Sequence, residues 1–249
     1  MQIDSDSEYI RYPVEIKYIS IKAKINAQEI NSMEKSEKIL RYRELNKSAK
    51  PGQIVFAGSS LMEMFPINKL QQEHGDNTII YNRGIGGFVS AELLENIDVC
   101  ILDLKPSRLF INIGTNDLSN SQIPIAQLID TYDKIITRVE EELPGIEIYF
   151  MAYYPINYEA ASEEMKPCLL VRTNEKINIA NCEVKKLAEK HGQKYIDVNA
   201  NLKDNQGRLK AEYTIEGMHI KESGYEAIYE SVMAYVREPK WKINKNLGG

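Results

Sequence analysis

Short apolar runs and longer amphipathic segments alternate along most of the chain. The apolar runs are nearly continuous, which is typical of strands that are covered on both faces. They predict five strands, at Ile54–Ala57, Ile79–Asn82, Leu109–Ile113, Ile146–Ala152 and Tyr195–Val198. Because helical segments separate these strands, the order predicts an α/β fold with a parallel sheet and helices on both of its faces.

Apolar residues at helical spacing predict the helices. One core-facing stripe consists of Ile125, Leu128, Ile129, Tyr132, Ile135, Ile136 and Val139. A second helix carries Ile177, Val184 and Leu187 and is predicted to end at His191-Gly192, and a last helix carries Tyr225, Ile228, Val232 and Tyr235. Nearer the start, residues 14–18 alternate like a strand and residues 33–45 have a helical pattern.

The domain organisation predicted from the sequence is simple, because no Pro-, Gly- or Ser-rich linker divides the chain. We expect residues 51–238 to form the main domain and residues 1–50 to form an N-terminal extension packed on it. The last residues, 239–249, are polar and are predicted to form a fraying tail.

Composition and charge narrow the class of protein. The 249 residues are 43% hydrophobic and 27% charged, which suits one large or two small domains with a sizeable core. The net charge of −5 and the absence of a Lys/Arg block argue against nucleic acid as a partner. No apolar run reaches the roughly 18 residues of a membrane span, and the first residues lack the pattern of a secretory signal. We therefore expect a cytoplasmic protein without a membrane span.

The three cysteines, Cys100, Cys168 and Cys182, are scattered along the chain and form no C-x-x-C pair. This spacing argues against a zinc ribbon or a redox pair. The prediction is that all three are small, buried hydrophobic side chains.

Polar and glycine-rich segments follow the first three strands, where the functional loops of a parallel sheet lie. Ser60 stands at a strand-to-helix turn, where backbone N–H groups favour negative charge; an ordinary N-cap is the alternative. Asn82–Gly87 lacks the third glycine of a dinucleotide loop, since Val89 holds that position, so it is either a tight turn or an N–H donor to an oxyanion. Asn116, within Gly114–Asp117, is either a turn former or a donor through its side-chain amide.

His219 is the strongest candidate base among the three histidines. Glu216 precedes it by three residues, and a carboxylate at that spacing on a turn can orient the ring and keep it basic. His74 has the surroundings of a solvated loop, and His191 those of a helix C-terminal residue. If the fold brings Ser60 to His219, a hydroxyl nucleophile, a base and an orienting acid are all present.

Four of these segments together resemble the SGNH, or GDSL-like, hydrolase superfamily, which is named for a Ser, a Gly, an Asn and a His in separated blocks. They stand in the family's order across about residues 53–236, at Gly58-Ser59-Ser60-Leu61, Asn82–Gly87, Gly114-Thr115-Asn116-Asp117 and Glu216-Gly217-Met218-His219. The resemblance implies a flavodoxin-like SGNH-hydrolase fold, a three-layer α/β/α sandwich around a five-stranded parallel sheet. It implies no metal or organic cofactor.

The resemblance also implies roles for particular residues. These are the nucleophile Ser60, the general base His219, and the oxyanion donors Ser60, Gly87 and Asn116. Gly84 and Gly86 stay open as alternatives to the second of these donors. Two positions depart from the family's pattern, since Ser59 replaces the usual Asp before the nucleophile and Glu216 replaces the Asp of the D-x-x-H block. A glutamate at that position can still accept a hydrogen bond from the histidine Nδ1, so the triad logic holds.

The expected function is that of a serine esterase, which hydrolyses an acyl or acetyl ester of a small molecule, carbohydrate or lipid through an acyl-enzyme. Alternatives are an acyltransferase using the same site, a catalytically weak binding protein on the same fold, and a flavodoxin-like nucleotide-binding protein, against which the absent third glycine and Walker lysine argue. The aromatic segment Tyr153–Tyr158 either borders the cleft or packs in the core. The expected partner is a small-molecule ester, and the oligomeric state stays open, a homodimer being one alternative.

Overall fold

Five parallel strands form one sheet in the order β2-β1-β3-β4-β5. In the computed structural model, which describes residues 32–240, they are β1 Ile54–Gly58, β2 Ile80–Asn82, β3 Arg108–Asn112, β4 Glu147–Met151 and β5 Lys194–Ile196. All five predicted strands are confirmed, with ends that differ from the prediction by at most two residues. Because β1 pairs with both β2 and β3, the loops after these three strands leave the same edge of the sheet side by side.

Helices cover both faces of the sheet. They are α1 at residues 32–46, α2 Ser60–Glu63, α3 Ile67–Glu73, α4 Ser90–Glu95, α5 Ile97–Cys100, α6 Thr115–Leu118, α7 Ile125–Glu142, α8 Lys166–Leu169, α9 Asn174–Lys190 and α10 Glu222–Val236. Short 3₁₀ helices lie at Leu102–Leu104, Ala200–Leu202 and Ala211–Tyr213. The helices predicted from periodicity are confirmed as α1, α7, α9 and α10. The fold is thus the expected α/β/α sandwich.

Alternate residues of each strand face opposite helical layers. Val55 and Ala57 of β1 lie in an apolar core with residues of α4, α5, α7 and α9, whereas Ile54 and Phe56 lie in a second core with residues of α3 and α10. Every residue of β1, β3 and β4 is buried. This two-sided burial is why the strands have continuous apolar runs in the sequence.

Helix α1 is fastened to the loop that follows β2. The Tyr42 hydroxyl donates to the Gly84 carbonyl at 2.8 Å. The Arg83 guanidinium lies 4.9 Å from the ring centroid of Tyr42 and 5.4 Å from that of Tyr81, and its Nε donates to the Asn46 side chain at 3.0 Å. Burial raises the pKa of Tyr42 to about 12, so its hydroxyl keeps its proton and remains a donor near neutral pH.

Some sequence-based predictions concern residues outside 32–240. The strand predicted at residues 14–18 lies there, as does most of the tail predicted at 239–249. The assignment of residues 1–50 to an N-terminal extension stays a prediction. The structure describes only part of that segment, namely α1 and the residues that follow it. Across the described segment, no helix is both long enough and apolar enough to cross a bilayer.

The cysteines differ in exposure. Cys100 is buried as predicted, and burial raises the pKa of its thiol to about 12, which makes it a weak nucleophile. Cys168 is only half-buried and Cys182 is exposed, so full burial holds for Cys100 alone and the prediction is wrong for Cys182. The reason is helical phase: on α9, positions such as Ala180 and Val184 face the core and position 182 faces outward.

A buried ion pair ties the start of β3 to β4 and to the end of α10. Arg108 Nε lies 2.6 Å from Glu147 Oε2, and the other guanidinium nitrogens donate to the carbonyls of Val236 at 2.7 Å and Glu238 at 2.6 Å. Both side chains are almost fully buried. Removing one partner therefore leaves an uncompensated charge in the interior, which is more costly than removing both.

We expect Arg108→Met to lower the free energy of unfolding by about 3–5 kcal/mol, and Arg108→Met/Glu147→Met to recover most of that loss. Urea denaturation followed by circular dichroism measures both effects. Arg138→Met, which breaks an exposed pair with Asp98, is the control and should lose less than about 1 kcal/mol. Equal losses in the single and double variants would contradict the argument.

Candidate active site

Ser60 lies at the carboxyl edge of the sheet, at the first turn of α2 and directly after β1. The preceding strand end is very close to β3, because Gly58 is in register with Asn112. A Cβ on Gly58 would lie only 2.3 Å from the Asn112 carbonyl oxygen, so only glycine fits there. The tight pairing fixes where α2 starts, and Ser60 in its first turn is half-buried.

The structure brings His219 to Ser60 across 159 positions of sequence, with Glu216 bound to the far side of the imidazole. His219 Nε2 lies 3.0 Å from Ser60 Oγ, and His219 Nδ1 lies 2.6 Å from Glu216 Oε1. A carboxylate only accepts, so Nδ1 carries a proton and donates it, and in the neutral ring Nε2 is left to accept from the serine hydroxyl. The extra methylene of Glu216 relative to aspartate does not prevent this contact.

The turn that carries both residues is held by its own hydrogen bonds. Thr214 and Ile220 form an antiparallel bridge at its base, and Thr214 Oγ1 accepts from the Gly217 N–H at 2.8 Å. Glu216 Oε1 also accepts from the backbone N–H of His219 at 3.1 Å. The carboxylate is therefore bound to the histidine twice, which limits rotation of the imidazole.

The three glycines after β2 differ in what their N–H groups do. Gly84 N–H donates to the Asn82 side chain at 3.0 Å, and Gly86 N–H donates to Glu63 Oε2 at 2.7 Å. Gly87 has a φ of +75°, a conformation that favours glycine. Among residues 32–240, no acceptor takes the Gly87 N–H or the Ser60 N–H. Of the three alternatives from the sequence, Gly87 is the one whose donor is unused.

Asn116 stands at the start of α6, after β3. Its side-chain Nδ2 donates to the Phe88 carbonyl at 2.9 Å, and its Oδ1 accepts from Arg172 at 2.7 Å. Beside it, the Asp117 carboxylate accepts from the backbone N–H and the hydroxyl of Ser90, at 3.0 and 2.5 Å. Burial raises the pKa of Asp117, while the Ser90 bonds oppose that rise. These contacts join the loop after β3 to the loop after β2.

Glu63 and Lys38 belong to the site, although the sequence reasoning passed over them. Lys38 Nζ from α1 lies 2.8 Å from Glu63 Oε1, and Glu63 holds the Gly86 N–H with its other oxygen. A Cβ on Gly86 would lie 3.5 Å from Lys38 Nζ and 3.9 Å from Ser60 Cβ, which places this pair beside the serine. The sequence holds one indication for Glu63, which follows Ser60 by about one helical turn and so lies near it. No pattern in the sequence marks Lys38.

The remaining sequence candidates are the aromatic segment Tyr153–Tyr158 and two histidines. Tyr153 and Tyr154 are buried, and the Tyr153 hydroxyl donates to the Ile113 carbonyl at 2.7 Å, so the core-packing alternative holds for both. The end of the segment borders the turn that carries His219, because the Asn157 N–H donates to the Gly217 carbonyl at 2.8 Å, and Tyr158 there is exposed.

His74 stacks on Tyr229 with ring centroids 4.4 Å apart. His191 bonds two carboxylates of α7 at the C-terminal end of α9, where the sequence placed it.

The chain matches the profile of the GDSL-like Lipase/Acylhydrolase family over residues 65–227. It is 23% identical over 220 residues to an N-acylneuraminate cytidylyltransferase from Escherichia coli O18:K1:H7, a match that covers 88% of this chain. The chain spans about half the length of that curated relative, 48%.

Several solved structures share the fold. A Streptococcus pneumonia protein provisionally described as a platelet activating factor superposes with a TM-score of 0.78 at 32% identity, over 87% of this chain and 99% of that one. A GDSL-like lipase from Bacteroides thetaiotaomicron gives 0.66 at 18% identity, over 80% and 96%. An acetylxylan esterase from Geobacillus stearothermophilus gives 0.58 at 15% identity, over 78% and 98%.

We expect Glu63→Ala to speed hydrogen exchange of the Gly86 amide by about 10- to 100-fold, because a hydrogen bond to a charged acceptor contributes about 1.5–3 kcal/mol. NMR-detected exchange on the folded protein measures this rate. Glu73→Ala, which removes an exposed carboxylate of α3, is the matched control and should leave the rate unchanged. Unaltered protection of Gly86 in Glu63→Ala would show that Glu63 does not hold the loop.

Proposed function

The chain belongs to the GDSL-like Lipase/Acylhydrolase family, and on that basis we propose that it is a serine esterase that works through an acyl-enzyme formed on Ser60. The observation that carries the proposal is the unbroken hydrogen-bonded chain from Ser60 through His219 to Glu216. Each member has the chemistry its place requires, a hydroxyl to attack, an imidazole to take the proton and a carboxylate to orient the imidazole.

In the first step, Ser60 Oγ attacks the carbonyl carbon of the ester while its proton passes to His219 Nε2. A bond forms between Oγ and carbon, and the carbonyl electron pair moves to the carbonyl oxygen. His219 becomes positively charged, and Glu216, held at 2.6 Å from Nδ1, stabilises that charge. The short distance between Oγ and Nε2 means that the proton moves without rearrangement of the site.

The negative oxygen formed in this step needs donors that no internal acceptor already uses. The N–H groups of Ser60 and Gly87 meet that condition within the described chain, and Asn116 Nδ2 has a second hydrogen beyond the one it gives to Phe88. One well-placed donor of this kind lowers the barrier by about 3 kcal/mol. We propose these three groups as the oxyanion hole.

In the second step, the tetrahedral intermediate collapses and the alcohol leaves with the proton from His219. Water then gives a proton to His219 and attacks the acyl-enzyme through the same oxyanion geometry. The bond from the acyl carbon to Oγ breaks, Ser60 takes the proton back, and the acid is released. Because Ser60 and His219 are only partly covered, water can reach the acyl group from the open side.

We expect Ser60→Ala to lower kcat for p-nitrophenyl acetate by about 10⁴-fold or more, since losing the nucleophile disables the whole chain of residues. The release of p-nitrophenol, followed by absorbance, measures turnover. Ser59→Ala is the matched control, because Ser59 is the adjacent buried serine and makes no side-chain cap bond. It should retain most activity. Equal turnover by wild type and Ser60→Ala would end the proposal.

Two further measurements separate the esterase from the alternatives. Covalent labelling of wild type, but not of Ser60→Ala, by a fluorophosphonate probe is expected, and a failure to label would favour a binding protein. Product analysis with added alcohol or sugar acceptors should give mainly free acid; transfer to the acceptor would favour an acyltransferase. Acetylated xylo-oligosaccharides belong in the substrate panel because an acetylxylan esterase shares this fold.

A further inference from the structure

Arg172 is the most deeply buried cation next to the candidate site. It directly precedes Thr173, the N-cap of α9, and is only 3% exposed. Its guanidinium donates to Asn116 Oδ1 at 2.7 Å through one terminal nitrogen and to Ser119 Oγ at 2.7 Å through Nε. The other terminal nitrogen lies 2.6 Å from the sulfur of Met218, the residue before His219. One side chain thus joins the loop after β3 to the turn that carries His219.

This guanidinium has no carboxylate within ion-pair distance among residues 32–240. Burial lowers the pKa of Arg172, while Cys168 and Asp117 oppose that shift; from a usual value above 12 the group stays charged. An unpaired buried charge is costly to the fold. Beside a site where negative charge develops during a reaction, a buried positive charge stabilises that negative charge. The attraction between the two charges is stronger than in water because the dielectric constant of the interior is low.

The Asn116 carboxamide has only one orientation that satisfies its neighbours. Arg172 can only donate, so the oxygen of the amide must face it, and the Phe88 carbonyl can only accept, so the NH₂ group must face that side. One hydrogen of the NH₂ group goes to Phe88 and the other is left over. Withdrawal of electron density by the guanidinium at Oδ1 makes the remaining N–H a stronger donor.

We propose that Arg172 is a positioning residue for ester hydrolysis, which fixes and polarises the Asn116 carboxamide so that its free N–H binds the oxyanion. The inference rests on the proposed function of the site. Arg172 acts through Asn116 and not on the substrate, so its contribution belongs to the transition state. Its removal should therefore lower kcat and leave KM nearly unchanged.

A double-mutant cycle tests this coupling with p-nitrophenyl acetate as substrate. Arg172→Met is expected to lower kcat by about 10- to 100-fold, with KM within about twofold of wild type, because it removes a charge-assisted hydrogen bond. Asn116→Ala is expected to lower kcat by about 10²-fold or more. The double variant should be no slower than Asn116→Ala alone, since Arg172 then has no amide to position.

Losses in kcat that multiply in the double variant would overturn the inference, as would a change confined to KM. Thermal unfolding shows whether each variant is folded. If Arg172→Met does not fold, the same cycle is measured with Arg172→Lys, which keeps a positive charge. Arg138→Met is the control for loss of an arginine outside the site. The two proposals can fail separately. Activity that survives Ser60→Ala would contradict the serine esterase itself. Activity that depends on Ser60, with independent effects of Arg172 and Asn116, would contradict only the coupling between these two residues.

Discussion

The close pairing of β1 with β3 is the constraint on which the candidate site depends. These strands end side by side at Gly58 and Asn112, and the missing side chain of Gly58 lets the two backbones approach. With β2 on the other flank of β1, the order of three adjacent strands sets the order of three loops. Ser60 follows the middle strand, and Gly87 and Asn116 follow its neighbours. His219, which comes from a turn distant in sequence, contacts Ser60 at this edge of the sheet.

Polar contacts between these loops divide the local N–H groups into those that hold the site together and those left for a ligand. Glu63 takes the Gly86 N–H, Asp117 takes the donors of Ser90, and the Phe88 carbonyl takes one hydrogen of Asn116. Such mutual ties hold the loops in place before any substrate arrives, so little reorganisation accompanies the reaction. The Ser90 bonds also offset the cost of burying the Asp117 carboxylate.

The strands and the main helices were predictable because each depends on a local pattern, an apolar run or a helical period. Ser60, Gly87 and Asn116 lie in polar segments just past strands, but the choice of these residues and of His219 came from the order of four short motifs that resemble one family. The partners that support the site were not predictable, since Arg172 meets Asn116 across 56 positions and Lys38 meets Glu63 across 25, with no periodicity to mark either. Tyr153 stayed ambiguous because an aromatic residue suits a cleft and a core equally, and only its buried hydrogen bond decides.

Helix α1 lies outside the segment that matches the family, residues 65–227. Its Tyr42 nevertheless donates to Gly84 in the loop that carries Gly87, and its Lys38 pairs with Glu63, which accepts from the Gly86 N–H of that loop. None of the motif residues lies in α1. Divergence in α1 alters none of them, but it changes how firmly that loop is held. A change in α1 therefore acts on the support of the Gly87 loop, and through it on turnover, while the reacting groups stay the same.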